Sequence, residues 1–487
     1  MANQTDASHE YLINADLAPT EPAHRTWNQW HFAALWVGMA VCIPTYTIAS
    51  NMIGAGMAWW QAVLTVCLGN LIVLVPLLLN AHAGAKYGIP FPVLARASFG
   101  VLGSNIPALM RGLVACGWFG IQTWIGGWAL FQLLATVWPS IPGGDPTALW
   151  PGAVPFICFI AFWLVNVFFI WKGTESIRWM ETLAAPFLLL MGLVLLGWAV
   201  LRVGGLGPIL DQNSEYSGQK PFWSTFLPNL TAMVGFWATL SLNIPDFTRY
   251  ARNQRAQVVG QALGLPTTMT LFAFIGAAVT SATVLIFGEA IWDPVALLGR
   301  IGGVGVVGLS MIALSIATLS TNIAANVVSP ANDLSNLAPR LINFRLGGLI
   351  TAFLGIVIMP WRLYSDPSGY IFTWLIGYSA LLGPIGGILI ADYYVIRRKL
   401  LDVPELYKRH GKFSYGGSGF NLRAIVVLFL SILPNVPGFL VNAGLLDSSS
   451  VHSLLLVIYG QAWFVGFVVA FALYTVLMWK ERHSVLT

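Results

Sequence analysis

Charge is scarce in this 487-residue chain. Asp, Glu, Lys and Arg together make up 9% of it, against roughly 25% in soluble domains. That scarcity excludes a disordered chain, a charge-laced coiled coil and a polyanion-binding surface, so no nucleic-acid partner is expected. Cysteine is scarce too. Cys42, Cys67, Cys116 and Cys158 each lie inside an apolar run and no CxxC occurs. This excludes a disulfide framework and a zinc site and leaves four small hydrophobes. The first 30 residues are polar and lack a basic stretch followed by a short apolar one, so no cleaved leader is expected. What the chain does have is apolar length. Hydrophobic residues are 57% and aromatics 13%, the mean hydropathy is +0.74, and apolar runs of about 20 residues recur almost throughout. The class is a polytopic, all-α membrane protein whose first partner is the lipid bilayer.

Apolar windows bounded by charges, Gly and Pro predict twelve helices near 31–52, 60–80, 106–137, 154–171, 177–201, 225–244, 259–286, 303–328, 347–360, 370–395, 424–441 and 452–478. The long third and short ninth imply tilt or a merged boundary. With the N-terminus placed inside, 20 of the 24 Lys and Arg fall in inner segments, as the positive-inside rule demands. Both termini are therefore expected on the cytoplasmic side of the cell membrane. Ionisable residues such as Arg111 and Glu181 fall near helix ends, where snorkelling or an interfacial partner suffices.

Helix 1 carries Gly38 and Pro44 in mid-span, and helix 6 carries Gly235, Trp237 and Pro245. Five spans separate them. An odd offset means the second five helices enter from the opposite side, the plan in which paired interrupted helices hold substrate and ion at the bilayer midplane. The expected organisation is an N-terminal tail (1–30), a first five-helix repeat (31–201), an outer loop (202–224) and an inverted second repeat (225–395). A cytoplasmic loop (396–423), two further helices (424–478) and a tail (479–487) complete it.

Mid-span polarity is neutral: Trp118 and Gln122, Trp237, Asn322 and Asn326. Trp118 and Gln122 share a helix face at i, i+4, as do Asn322 and Asn326. Indoles stack and carboxamides both donate and accept, which suits a small, planar, uncharged ligand. Packing and interhelical glue are the competing roles for each residue taken alone. Ser320 and Thr321 would ordinarily bond back to the preceding turn; beside a broken helix they can instead join its freed carbonyls around a small cation. Gly303-Val-Gly305-Val-Val-Gly308 matches a dinucleotide pattern, but no strand precedes it, so it reads as small-residue helix packing.

Five segments carry a resemblance. Trp118-Phe-Gly-Ile-Gln122-Thr-Trp124, Asn243-Ile-Pro-Asp-Phe-Thr-Arg249-Tyr and Ser320-Thr-Asn-Ile-Ala-Ala-Asn326-Val-Val-Ser-Pro330 are three. Gly383-Pro-Ile-Gly-Gly-Ile-Leu-Ile-Ala-Asp392 and the loop from His82 to Gly100 are the others. Together they resemble the nucleobase–cation symporter-1 family, in its allantoin permease and hydantoin transporter branch. The resemblance implies a LeuT-type five-plus-five inverted repeat with two extra helices. It also implies that Trp118 and Trp237 sandwich the ligand ring, that Gln122 and Asn326 bond its amide edge, and that Leu375 is a thin gate. Sodium would take carbonyls of Gly38, Val41 and Ala317 and the hydroxyls of Ser320 and Thr321. The sequence departs from the family at Cys42, where relatives have Gln or Asn, and at Ile323, where the hydantoin transporter has Pro. Phe236 replaces a Gly and should narrow the pocket.

The expected function is import of allantoin or a related ureide, hydantoin or nucleobase by alternating access, without a cofactor and as a monomer. Sodium is the coupling ion, with protons as the alternative; uracil, cytosine or purine is the alternative substrate. A membrane enzyme would need a His/Asp constellation, and His31 and His82 show no evident partner. A channel would need charged or carbonyl rings, which are missing.

Overall fold

A computed structural model of the chain describes residues 12–144, 150–172, 174–214, 222–301, 303–363 and 373–484. Among these the secondary structure is helical, apart from an isolated bridge between Trp27 and Ala251. The first helix is broken into α1 (Gln29–Ala40) and α2 (Ile43–Gly54), which meet at 57°. There follow α3 (Trp59–Tyr87), α4 (Phe91–Phe99), α5 (Asn105–Val137), α6 (Ala153–Lys172), α7 (Thr174–Val203) and the short α8 (Leu206–Leu210). The sixth expected helix is also divided, into α9 (Phe222–Phe236), α10 (Ala238–Asn243) and α11 (Pro245–Thr248). Next come α12 (Gln254–Phe287), α13 (Pro294–Ile301), α14 (Val304–Asn326), α15 (Val328–Leu337), α16 (Phe344–Val357) and α17 (Pro360–Leu363). The C-terminal part holds α18 (Ile376–Ile390), α19 (Leu422–Ile432), α20 (Val436–Asn442), α21 (Ser453–Tyr459), α22 (Ala462–Met478) and α23 (Glu481–Ser484).

Proline chemistry accounts for the first central break and for the division of α10 from α11; the break at Trp237, between α9 and α10, lies eight residues before Pro245. Pro44 has no N–H to give to the Ala40 carbonyl, which instead takes the Cys42 N–H at 3.0 Å. Cys42 is extended (φ −143°, ψ 161°), so the Gly38 carbonyl loses its helical donor. Thr321 on α14 fills the place, its hydroxyl donating to Gly38 O at 3.2 Å. The junction of α10 and α11 repeats this logic. Pro245 cannot donate to the Ser241 carbonyl, and Asn80 of α3 donates to it at 2.7 Å. In each case a neighbouring helix satisfies a carbonyl that the membrane interior would otherwise leave bare.

Two packed groups result. In one, α12 lies against α1, α2, α3 and α7, and α3 against α9 to α11; in the other, α5 lies against α6, α14, α15 and α16. Small residues set the approach distances. A Cβ on Gly276 of α12 would fall 2.7 Å from Tyr46 O, and one on Gly264 3.0 Å from Ala33 Cα. In the second group, a Cβ on Gly120 would meet the Gly355 carbonyl.

Among the described residues, six helices are long and apolar enough to cross a bilayer, and up to eight if each bent pair is one span. Helix is present in each of the twelve expected windows. Two windows differ from expectation. The last is not continuous, since α21 and α22 meet at 89°, and the eleventh passes through a 3-10 turn at Leu433–Asn435. The segment expected as a loop (202–224) contains α8. Gly303 and Gly305 have nothing within 4 Å of a Cβ, and Gly308 meets only Leu133 Cδ1 at 3.5 Å. The close packing expected of that glycine pattern is therefore not made; Gly303 caps α14 with φ 88°.

The segments expected inside converge on one end of the bundle. Asn14 donates to Pro339 O and Ile342 O, and Tyr407 to Leu17 O. Arg249 donates to Asp16 O, Ala18 O and Thr20 Oγ1. Arg111 does not snorkel. It is wholly buried and pairs with Asp333 at 3.2 Å, because α15 packs alongside α5 at that level. The Glu181 side chain lies outside the described residues. Both histidines have partners: His31 completes a capping box with Asn28, and His82 Nδ1 is 2.9 Å from Tyr393 OH.

Candidate functional site

Where α1 and α2 separate, Met39 and Cys42 face a cavity closed on the other sides by α5, by α9–α10 and by the end of α14. Trp118 and Gln122 contribute from α5, Phe236, Trp237, Thr239 and Leu240 from the second break, and Thr321, Ala325 and Asn326 from α14. Six of the eight residues expected to hold a ligand thus come together: Cys42, Trp118, Gln122, Phe236, Trp237 and Asn326. Asn322 and Leu375 do not reach the cavity. Asn322 is turned to the packing side of α14, where its amide donates to Phe119 O, Thr123 Oγ1 and Asn166 Oδ1 at 3.3, 3.1 and 3.1 Å. Its oxygen accepts from Asn326 Nδ2 at 3.0 Å, so it fixes the Asn326 carboxamide. Leu375 is buried at the start of α18, with its carbonyl 3.1 Å from where a Gly235 Cβ would lie.

The two indoles are not stacked on one another. Phe236 touches both, with ring centroids 5.1 Å from Trp118 and 4.9 Å from Trp237, near perpendicular to each. Trp36 meets Trp237 edge-on at 5.1 Å, and Trp118 Nε1 donates to Tyr378 OH at 3.3 Å. With Phe236 inserted, the cavity leaves about 20 Å³ for the centre of a water-sized sphere, enough for one water and too little for a ring compound.

Two polar atoms here are not used by the fold. Among the described residues, Gln122 Oε1 and Trp237 Nε1 are buried without a hydrogen-bond partner. Such groups are costly to bury unbonded, and here one acceptor and one donor line the same cavity. Cys42 Sγ is 3.3 Å from Thr45 Oγ1. A larger cavity, about 180 Å³ by the same measure, lies between α2, α7, α12, α13 and α14. Its wall is almost wholly apolar, so it offers nothing to orient a polar ring.

Beside the cavity, Gly38, Val41, Ala317, Ser320 and Thr321 are all buried. Ala317, Ser320 and Thr321 lie one turn apart on one face of α14, and the Thr321 bond to Gly38 O draws that face onto the break in the first helix. The oxygen set is neutral, of the kind that suits a monovalent cation at a discontinuous helix. No group of three His, Cys, Asp or Glu side chains that could hold a metal occurs among the described residues. Sequence reasoning missed Met39, Thr239, Leu240 and Ala325 as lining, and Asn166 and Tyr378 as supports. Proximity to Trp237 and Asn326 in the chain was the available signal for Thr239 and Ala325; Asn166 and Tyr378 come from other helices and gave none.

Broken helices flanking a buried polar cavity define a membrane transporter, and solved structures share the architecture. A nucleobase-cation-symport-1 family transporter, in a closed conformation with bromovinylhydantoin bound, matches over 97% of this chain and 96% of that one, with a TM-score of 0.79 and 26% identity. The chain belongs to the family of permeases for cytosine/purines, uracil, thiamine and allantoin, whose model matches residues 19–466. A purine-uracil permease of Arabidopsis thaliana is 47% identical over 96% of this chain and 78% of its own length. The allantoin permease of Bacillus subtilis is 42% identical over 96% and 93%. The relatives are permeases, not enzymes, and the chain is a multi-pass membrane protein.

Proposed function

We propose that the chain is a symporter that imports a small, planar, uncharged ring compound with a monovalent cation. Allantoin or a close ureide or hydantoin is the favoured substrate and sodium the favoured ion. The observation that carries this reading is the pairing of indoles with unbonded polar groups, Gln122 Oε1 and Trp237 Nε1, at the meeting of two broken helices. When Phe236 swings from between Trp118 and Trp237, a flat ring can take its place; Gln122 and Asn326 then bond the ring's amide edge. Asn322 serves as the brace of Asn326, and Leu375 closes the route beside α9. The neutral oxygens of Gly38, Val41, Ala317, Ser320 and Thr321 receive the cation. Because the Gly38 carbonyl belongs to the same break as Cys42, cation and substrate order the same segment, and each raises the affinity of the other.

This reading takes the helices as twelve crossings in two inverted repeats (31–201 and 225–395) followed by two more. The end bearing the N-terminal segment, the 396–423 loop and α23 faces the cytoplasm, and a single chain suffices. A purine or uracil substrate is the second reading, favoured by the 47% identity to a purine-uracil permease. Uptake of radiolabelled allantoin into cells expressing the chain, with allantoin, hydantoin, uracil and adenine as competitors, separates the two. Strong competition by allantoin and weak competition by uracil and adenine is expected; competition by none removes the assignment. Stimulation by external sodium is expected, whereas arrest by a proton ionophore without sodium stimulation would identify protons.

A further inference from the structure

A second polar cavity lies at the charged end of the bundle, away from the central route. It has a volume of about 550 Å³ and sits between the 397–421 loop, the start of α19 and the end of α22. Half of its wall is polar and half apolar. Leu422, largely exposed on the outer surface of α19, and Met478 of α22 form the apolar side. Three cations line it, Arg397, Lys412 and Arg423, together with one carboxylate, Glu481.

The three differ in what they already hold. Arg397 is buried and committed, donating to Asp392, to Ala97 O and to Tyr415 OH at 2.7, 2.7 and 2.8 Å. Arg423 is half exposed and bonds Glu481 at 3.1 Å. The Lys412 side chain is exposed and its ammonium makes no hydrogen bond or ion pair among the described residues; the Glu405 carboxylate accepts from the Lys412 backbone N–H at 2.8 Å and pairs with Lys408. Backbone donors face the same space. Asn421 precedes α19 without capping it by its side chain, so the first-turn amides of this 11-residue helix lack that partner. The loop Tyr415-Gly-Gly-Ser-Gly runs through positive φ at Tyr415, Gly416, Gly417 and Gly419. Among the described residues the amides of Gly416, which lines the cavity, and of its neighbour Gly417, which does not, make no backbone hydrogen bond. A Cβ on either glycine would meet nothing within 4 Å. Successive amides in such a left-handed turn form a concavity that binds anions.

We propose that this cavity is a binding site for a phosphate group, and that its source is the headgroup of an anionic phospholipid in the cytoplasmic leaflet. Lys412, Arg423 and the free amides take the phosphate, and the Leu422–Met478 wall takes the glycerol and the start of an acyl chain. Free phosphate would use the polar half alone and leave the apolar half uncovered, which is why a lipid is the better fit. Basic pockets between helices at this membrane face have the charge and depth that headgroups require. The site rests on the orientation given above and not on the identity of the substrate. Through Arg397 it touches α4 and, at Asp392, the π-helical turn that follows α18, so its occupancy braces the contact between the loop and those segments.

The test is native mass spectrometry of the full chain in detergent, titrated with phosphatidylglycerol or with phosphatidylcholine. Preferential retention of phosphatidylglycerol is expected, weakened roughly fivefold for each cation removed in Lys412→Ala and Arg423→Ala. Lys412→Arg should retain it, and Arg300→Ala, at the opposite end of the bundle, should change nothing. Equal retention of the two lipids, or undiminished phosphatidylglycerol binding by a folded Lys412→Ala/Arg423→Ala double variant, overturns the proposal. A parallel arm measures protection from thermal unfolding by inorganic phosphate: protection matching that by phosphatidylglycerol would overturn the lipid as the source. Uptake is not read in any arm, so failure here is distinguishable from failure of the transport assignment.

Discussion

Asn326 and Asp333 stand seven positions apart on consecutive helices, and the polar regions they belong to are built differently. Around Asn326 the groups are neutral, and two of them, Gln122 Oε1 and Trp237 Nε1, are left unbonded. Around Asp333 the groups are charged, and there too some atoms lack a partner among the described residues, Arg111 Nε and Nη2, Asp333 Oδ1 and Ser335 Oγ, although the neighbouring arginines are held by the fold. Arg96 bonds Asn336 and Leu406 O, Arg249 takes three partners, and Arg397 is held by Asp392. Arg111 and Asp333 are fully buried and joined by a single bond. A neutral group with an unused donor or acceptor carries a modest cost that a ligand can relieve. A buried charge without a partner costs several kcal/mol, so the charged end has to be closed by the fold itself. The difference separates a site for cargo from a clasp.

The largest effect that sharpens this contrast is expected from Asp333→Ala. It strands Arg111 in a wholly buried place and should remove about 3–5 kcal/mol of stability, seen as loss of the monodisperse peak in fluorescence-detected size exclusion. Arg111→Met combined with Asp333→Leu should recover much of that peak. A well-folded Asp333→Ala protein that no longer transports would break the comparison and make the pair part of the transport cycle. Next comes Gln122→Ala. Its oxygen has no partner in the fold, so uptake should fall roughly ten- to a hundredfold while the unfolding temperature holds. A matching fall in stability would make Gln122 structural.

Phe236→Gly should empty the space between the indoles and let benzyl-substituted hydantoin compete for uptake roughly fivefold better, measured by inhibition curves. No gain would mean that the ring is not what limits the pocket. The smallest effect concerns Asp293, outside the spanning helices, whose carboxyl is raised to about 6 by burial, against bonds from the Val295 and Ala296 amides that lower it. Because the folded value lies above the ordinary one near 3.8, its contribution to stability is complete below that value and is lost as pH rises through about 6. Asn keeps the cap of α13 but carries no charge. Asp293→Asn should therefore unfold on the order of 1 °C higher than the parent above pH 6 and match it below pH 4.

Much of the fold was legible because breaks have local causes. Pro44 and Pro245 remove backbone donors wherever they stand, and apolar length announces spans without reference to neighbours. The 89° turn between α21 and α22 carried no such mark; Gly460-Gln461 bends where α22 packs along α18. Of the site, Trp118, Gln122, Trp237 and Asn326 were legible as unusual residues in apolar surroundings. Asn322 shares their chemistry and helical face with Asn326, yet it is drawn away by Asn166 on α6, a partner 156 positions distant. Arg111 reads as interfacial from its place in α5 and becomes buried only because α15 crosses it.

By itself the sequence determined that this chain lives in a membrane, where two of its helices break, and that its central polar groups are uncharged. These follow from hydropathy and from the missing N–H of proline, which act within a few residues. Only the tertiary structure decided which carboxamide faces the cavity and which braces it, that Phe236 stands between the indoles, and which charges are closed off. Each of those outcomes depends on a hydrogen-bond partner or a ring supplied by a different helix, and spacing along one chain segment does not encode what lies across from it.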